Sequence, residues 1–473
     1  MDIKEILQLE FDKVLDKLCV EKDGHKKKDV EQFIKEYTGD HEILKRPKKK
    51  ITIQKDPVKY KYIDRARLPI TLQQKIVSFA SGFLFGSPIK YVLNDEKYND
   101  EYNKMDKVFR DNKTQYFNRK LARTVMSETR AAEYWFPVKR EGSVMLRVAL
   151  WSKSNGDELY PHFDDMGDLD AFTRRYTTSE ENKTVLHADV YTANMTYLGV
   201  KKDNAEWQVT NEPNPVGKIR VVYYEKDYPE WYLVQRLIDR AEMLISVHAD
   251  TNDYYGDPML KVFGEYGGGI EKADDGKAFF FTSQGTDGSG KPVYGDADYL
   301  VWESMPESKK MELENLLRLI YSLTSTPDLS FDNVKGIGAI SGVAIRMMMT
   351  DAKLKGLMNQ EIFGEGLLRR FNLLKHMMTV LKMLSGVEDM EAEVMFSDPL
   401  PVDYTEMVES LVTASGGESI MTKETAVRLN PFVQDTDAEL QRMEEQDAEA
   451  THEPVENFLM QPGGETLGAF TAQ

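Results

Sequence analysis

The chain has one cysteine, Cys19, among 473 residues. That excludes an internal disulfide and fits a reducing cytoplasm. Its seven histidines are scattered, with none paired at metal-ligand spacing. No run of about 18 uncharged apolar residues occurs, so no membrane-spanning helix is expected. The opening MDIKEILQLEFDKVLDKL reads as an amphipathic helix, not a signal peptide. Positive charge is also short: 61 Lys and Arg stand against 79 Asp and Glu, a net of −18. A protein that grips nucleic acid over its whole surface needs clustered cations. This one does not fit that class, although DNA could still pass it without sticking.

Motifs that carry chemistry are missing too. Gly285 to Lys291, GTDGSGK, fits seven positions of a phosphate-binding loop. The next residue is Pro292, which has no hydroxyl for a metal ion, and a strand-like VYGDADYLVW follows where a helix is required. A hairpin turn is the better account. Gly336, Gly338 and Gly342 nearly spell a dinucleotide fingerprint, but the last glycine is one place late and no strand leads in. Asp164, Asp165, Asp168 and Asp170 cluster without the order of a calcium loop, which reads as a solvated acidic loop. We find no catalytic set, and expect no cofactor or metal.

What is present is apolar content of 41%, enough for real cores, and 30% charged residues that keep the surface wet. The length suits two or more domains or one elongated subunit. Residues 1–36, 70–86 and 99–128 read as helices. Between them lies a basic stretch, Lys45 to Lys55 with RPKKK, read as a solvated loop with contact to DNA or a partner as the alternative. From 134 to 226 short alternating runs read as strands. Asp227 and Pro229 suit the start of a helix with apolar Leu233, Leu237, Met243, Leu244 and Val247. Residues 258–303 read as a small β insert, and Pro306 opens a further helix to Leu323. A glycine-punctuated loop then feeds a helical pattern from Gly342 to Leu384, in which Met347, Met348, Met349, Met358, Met377, Met378 and Met383 are read as core. The region 387–450 is acidic and helical in short pieces. The tail after Thr451 reads as disordered or as a partner-binding peptide.

Six segments in order carry a resemblance: FASGFLFGSPIKYVL at 79–93, NPVGKIRVVYY at 214–224, IDRAEMLISVHADTND at 238–253, LTSTPDLSFDNVKGIGAISGVAIR at 323–346, MFSDPLPVDYTEMVE at 395–409 and TAVRLNPFVQDTDAELQRMEEQ at 425–446. Over residues 35–450 the chain resembles the portal proteins of tailed bacteriophages, siphophage type. The resemblance implies an α+β fold, mainly helical and elongated, with wing, stem, clip and crown regions and a β-rich part in the wing. Its parts would be wing 1–228, stem 229–256 and 304–325, clip 257–303, tunnel loop 326–341, long wing helix 342–385, crown 386–450 and a flexible tail 451–473. It implies a ring, usually of twelve subunits, at one capsid vertex of the virion, assembled in the host cytoplasm. Double-stranded DNA would pass its channel without sequence preference. Partners would be the terminase large subunit, capsid and scaffold proteins and the head–tail adaptor, with no membrane. ATP hydrolysis would belong to the terminase and not to this chain.

The same resemblance makes the loop the DNA-facing element, with Asp332, Asn333, Lys335, Gly336, Gly338 and Ser341 at the constriction. Lys335 is the loop's one cation. A single exposed lysine–phosphate contact is weak and salt-screened, which suits sliding. Two other readings stay open on the residues: an enzyme with a cryptic site in the β region, or a cytoplasmic oligomeric scaffold.

Overall fold

The alternating texture downstream of residue 130 folds into two antiparallel sheets. The computed structural model describes residues 3–20, 29–53, 56–140, 142–180, 183–202, 205–256, 259–263, 272–273, 276–277, 283–286, 288–294, 296–300, 306–328, 347–397, 404–415, 421–430, 432–433 and 436–451. The α+β class is observed, and the chain divides into two compact units.

In the first unit, helices α1 (Ile3–Ile6), α2 (Phe11–Leu18) and α3 (Val30–Thr38) lead into a hairpin of β1 (Lys49–Ile53) and β2 (Asp56–Ile63). The basic stretch is therefore partly strand. The period-2 run KYKYI in β2 is the local cause. Helix α4 (Leu72–Phe85), strand β3 (Lys90–Leu93), and helices α5 (Asn99–Asp111) and α6 (Thr114–Glu128) follow. Strands β4 (Arg130–Arg140) and β5 (Ser143–Trp151) form a three-stranded sheet with β11 (Val221–Glu225), in the order β11-β4-β5. Strands β6 (Glu158–Phe163), β7 (Leu169–Glu180), β8 (Lys183–Thr192), β9 (Met195–Lys202) and β10 (Gln208–Pro213) make an antiparallel meander.

Each sheet buries what its alternation supplies. Aromatic side chains stack where the two sheets meet: Tyr134 lies 4.5 Å from Trp151, which lies 5.5 Å from Tyr191. The meander also meets α1 and α2, whose Ile6, Val14, Leu15 and Leu18 close over Ala188 and Val190. Gly199 is required there, because a Cβ would sit 2.4 Å from the Phe11 ring.

Helix α7 (Gln235–Gly256) follows a 3-10 turn at Tyr232–Val234, so it begins later than Pro229 suggested. Its Ile238 and Ala241 are buried, while Leu233 is exposed. Short strands come next: β12 (Met259–Phe263), β13 (Lys272–Ala273), β14 (Gly276–Lys277), β15 (Ser283–Thr286), β16 (Pro292–Tyr294) and β17 (Asp296–Leu300). They pair as two-stranded antiparallel sheets, β12 with β17 and, between them in the chain, β13 with β14 and β15 with β16. The GTDGSGK run begins in β15 and leads to β16, with Thr286 opposite Pro292 and Gly290 at φ +78°. Helix α8 (Pro306–Leu323) runs back along α7, joined by Leu237, Ala241, Leu244, Leu313 and Leu316 and by Arg240 to Glu312 at 2.7 Å.

The long helix α9 spans Thr350–Val380, about 46 Å at about 1.5 Å per residue. It ends before Leu384 because Lys382 adopts φ +59°. The Met383 N–H then donates to Met378 O and the Lys382 N–H to Thr379 O, closing the helix end as a Schellman motif. Its buried seam runs Ala352, Gly356, Asn359, Phe363, Gly366, Arg370, Leu374 and Met377 at steps of three or four. Met377 and Met378 are core as expected, but Met347, Met348 and Met358 are exposed. Strand β18 (Ala392–Met395), read from sequence as part of an acidic helical stretch, pairs antiparallel with β3 across some 300 residues of chain. Residues 386–397 thus belong to the first unit. The second unit contains helices α10 (Tyr404–Ser415), α11 (Lys423–Leu429) and α12 (Thr436–Thr451).

Candidate functional site

Asp332, Asn333, Lys335, Gly336, Gly338 and Ser341 lie outside the described residues, as does the tail after Thr451. The two chain ends that carry the loop are described, and their chemistry is specific. Helix α8 closes at Leu323 through a second Schellman motif: the Thr326 N–H donates to Tyr321 O at 2.9 Å, and the Ser325 N–H to Ser322 O at 3.1 Å. Ser325 holds φ +51°, a conformation glycine adopts without penalty and other residues at a cost of about 1–3 kcal/mol. Thr324 and Thr326 are buried and hydrogen-bonded to one another at 3.0 Å. Between this turn and the start of α9 is a cavity of about 210 Å³ lined by Tyr321, Ser325, Asp328, Met348 and Asp351.

A buried carboxylate ties the two ends together. Glu230 is 96% buried at its side chain and accepts from Lys226 at 2.5 Å and from Lys355 at 2.7 Å. Lys355, on the first turns of α9, also donates to Thr324 O at 2.7 Å. Lys226 donates to Asn359 Oδ1, one turn further along α9. Burial alone would raise the Glu230 pKa; Lys355 and Lys226 outweigh it and hold the group below its ordinary value. Glu230 is itself held by its backbone, whose N–H donates to Met126 O at the end of α6. Lys355 thus joins the start of α9 to the turn that ends α8, and Glu230 holds its ammonium in place.

The other half of α9 is fixed by a different centre. Arg370 and Glu133 are both essentially inaccessible and form a two-pronged ion pair. Glu133 also accepts from Tyr224 OH at 2.7 Å and from Trp135 Nε1 at 2.9 Å. Arg370 also donates to Asn118 Oδ1 at 2.8 Å. Burial pushes the Tyr224 hydroxyl well above its usual range, with the Glu133 charge adding to it. Arg370 resists burial because Glu133 faces it, so it stays charged. The centre joins α9, α6, β4 and β11. Gly366 lets Tyr224 pass so close that a Cβ would stand 2.0 Å from its ring.

These features describe a mount for the segment 329–346. Among the described residues no group of three or more His, Cys, Asp or Glu side chains is placed to hold a metal, and no helix is long and apolar enough to cross a membrane. Comparison with known proteins decides the class. The family described as phage portal protein, SPP1 Gp6-like, matches residues 16–453. The chain belongs to that family. A relative from Bacillus phage SPP1, named portal protein, is 32% identical over 152 residues, covering 32% of this chain and 30% of that protein. The aligned stretch is under a third of the relative's length.

Sequence reasoning missed both polar centres. Arg370 sits in an apolar LLRRFNLL run, and its place on the seam four residues after Gly366 was the available signal. Glu230 and Lys226 lie in a loop, and loop sequences do not announce their burial. Lys226 and Glu230 stand four apart, but Lys355, Asn359 and the Glu133 partner of Arg370 are each more than 100 residues from the group they meet, which pattern reading does not reach.

Proposed function

We propose that this chain is the subunit of a closed ring through which double-stranded DNA enters and leaves a phage capsid. The family match over residues 16–453 carries the reading. In it, α7 and α8 are the stem, the hairpins between them the clip, the sheets and the long helix the wing, and the second unit the crown. The segment 329–346 is the tunnel loop, with Lys335 at the constriction. Docking of the terminase large subunit and later of the head–tail adaptor falls to the clip, and contact with capsid and scaffold proteins to the wing. The ring provides a passage in the virion and the motor provides ATP hydrolysis.

Physical chemistry supports the assignment in two ways. A chain of net charge −18 avoids tight, non-specific phosphate binding that would stall translocation. The Glu230 mount suits a segment that is loaded by passing DNA, since Lys355 joins the chain before that segment to the helix after it. Leu233, Met311, Leu319, Leu323, Leu354 and Met358 are exposed, as expected of a chain whose neighbours cover them. Negative-stain microscopy and mass measurement of the purified protein test the reading. A head-to-tail closed ring is expected. Dimers at every concentration and salt, in particles as well as free, contradict it. Lys335→Glu rings should assemble and package DNA more slowly.

A further inference from the structure

The basic hairpin has no part in the portal reading above. Between residues 45 and 67 stand ten lysines and arginines against two aspartates, a net of +8 in a chain of −18, so that the rest carries −26. We propose that the β1–β2 hairpin is a phosphate-binding arm that docks on the backbone of duplex nucleic acid.

Three observations carry this. The first is that the arm is rooted and not a tail. Arg46 and Arg67 cross-clamp its base: Arg46 donates to Ala66 O at 3.0 Å, and Arg67 to Arg46 O at 3.0 Å. The chain leaving it then lies along α7. Ala66, Leu68 and Ile70 donate their N–H groups to Asp250, Ser246 and Glu242 at 2.7, 3.0 and 2.8 Å. Side chains four apart on a helix rise about 6 Å, and alternate residues of an extended chain advance about 6.6 Å, so the two ladders match. Arg46 adds an ion pair to Asp250 at 2.8 Å.

The second is register. Ile51 pairs with Lys61 and Lys49 with Ile63, which puts Lys49, Lys59 and Lys61 at positions on one face of the ribbon. Lys50 shares the other face with Thr52, Tyr60 and Tyr62. Cations repeat along a two-stranded ribbon, whose register shifts only between Thr52 and Ile53, and a major groove admits a ribbon of this kind. The third is contrast: with the remainder strongly acidic, duplex DNA is repelled elsewhere and attracted here, so the arm fixes the orientation of approach. A linear polyanion of regular charge suits this ribbon better than an acidic protein surface.

The proposal does not rest on ring formation. It is tested on the full chain by fluorescence anisotropy with a labelled duplex of about 30 base pairs. Four lysine–phosphate contacts predict a salt slope near −3.6, or roughly a 150-fold loss between 50 and 200 mM salt. Replacing Lys49, Lys50, Lys59 and Lys61 by Glu should abolish binding, and replacing the same four by Arg should retain it. Matching circular dichroism of the two variants confirms that both are folded. The proposal is overturned if the parent does not bind duplex at 50 mM salt, or if the Glu variant binds as the parent does. It is overturned equally if polyglutamate at the same charge concentration displaces the duplex, which would assign the arm to an acidic protein.

Discussion

The two halves of the Thr350–Val380 helix are held by opposite means. The second half presents a broad seam of Phe363, Leu367, Phe371, Leu374, Met377 and Met378, with the Arg370–Glu133 pair sealed inside it. The first half presents a narrow seam of Ala352, Gly356 and Asn359, leaves Leu354, Leu357 and Met358 exposed, and is tied down by lysines that keep partial contact with water. A sealed ion pair tolerates no rearrangement, because separating it strands a charge in a low dielectric. The lysines of the Glu230 clamp keep 15% and 19% of their side chains exposed, so they can turn to water if the carboxylate is lost, at a smaller cost than a fully sealed charge. One half therefore anchors the helix, and the other ties its start to the end of α8.

Removal of the central carboxylate in each half should give unequal results. Glu133→Ala leaves Arg370 buried and unpaired and should cost about 3–5 kcal/mol. Glu230→Ala leaves Lys226 and Lys355 able to reach solvent and should cost about 1–3 kcal/mol. Urea midpoints measure both, and equal losses would break the comparison. The Glu230 contribution should also fade in acid. Its folded pKa is depressed, so the stability it adds is present above its unfolded pKa and lost as pH falls through the folded one.

Glycine substitutions sharpen the contrast at smaller scale. Gly366→Ala drives a Cβ into the Tyr224 ring and should cost about 1–3 kcal/mol. At Gly356 a Cβ meets the part-exposed Phe83 ring at 3.0 Å. That ring can give way, and alanine gains up to about 1 kcal/mol in helix propensity. Gly356→Ala should therefore be near neutral in thermal unfolding.

His41 tests the strap that lies along α7. It is sealed between Glu242 and the Glu36 carbonyl, and both ring nitrogens face acceptors. Burial pulls its pKa down, but these acceptors outweigh that and raise it. The stability it adds should be complete below about pH 6.5, the unfolded value, and lost as pH rises through the higher folded value. His41→Gln should flatten the pH dependence of the midpoint in that window. The smallest effect belongs to Met358→Gln, expected within about 0.5 kcal/mol for the isolated chain. If the exposed face meets a neighbouring subunit, this variant should nevertheless weaken ring assembly in a sedimentation series.

Much of the fold was legible where the period was strong. The boundaries of α4 and α8 follow from Gly86 and Pro306, and the strands from residue 130 follow from alternation. The β1–β2 hairpin was hidden by its charge, because lysine is read as loop even when it alternates with Ile and Tyr. Strand β18 was hidden because its partner β3 is some 300 residues away. The end of α8 at Leu323 agrees with the reading, but the end of α9 was placed too far on. Lys382 takes the left-handed conformation usually assigned to glycine, so Gly386 pointed past the true stop. The mount at Glu230 was illegible because its burial arises from tertiary contacts alone.

Site-specific crosslinking tests the central claim most directly. A photocrosslinker is placed at Lys335 or at Met166, which is 90% exposed on the β6–β7 turn, and activated in particles stalled during packaging. The account predicts DNA crosslinked at position 335 and none at 166. DNA crosslinked at 166 and absent at 335 would contradict it.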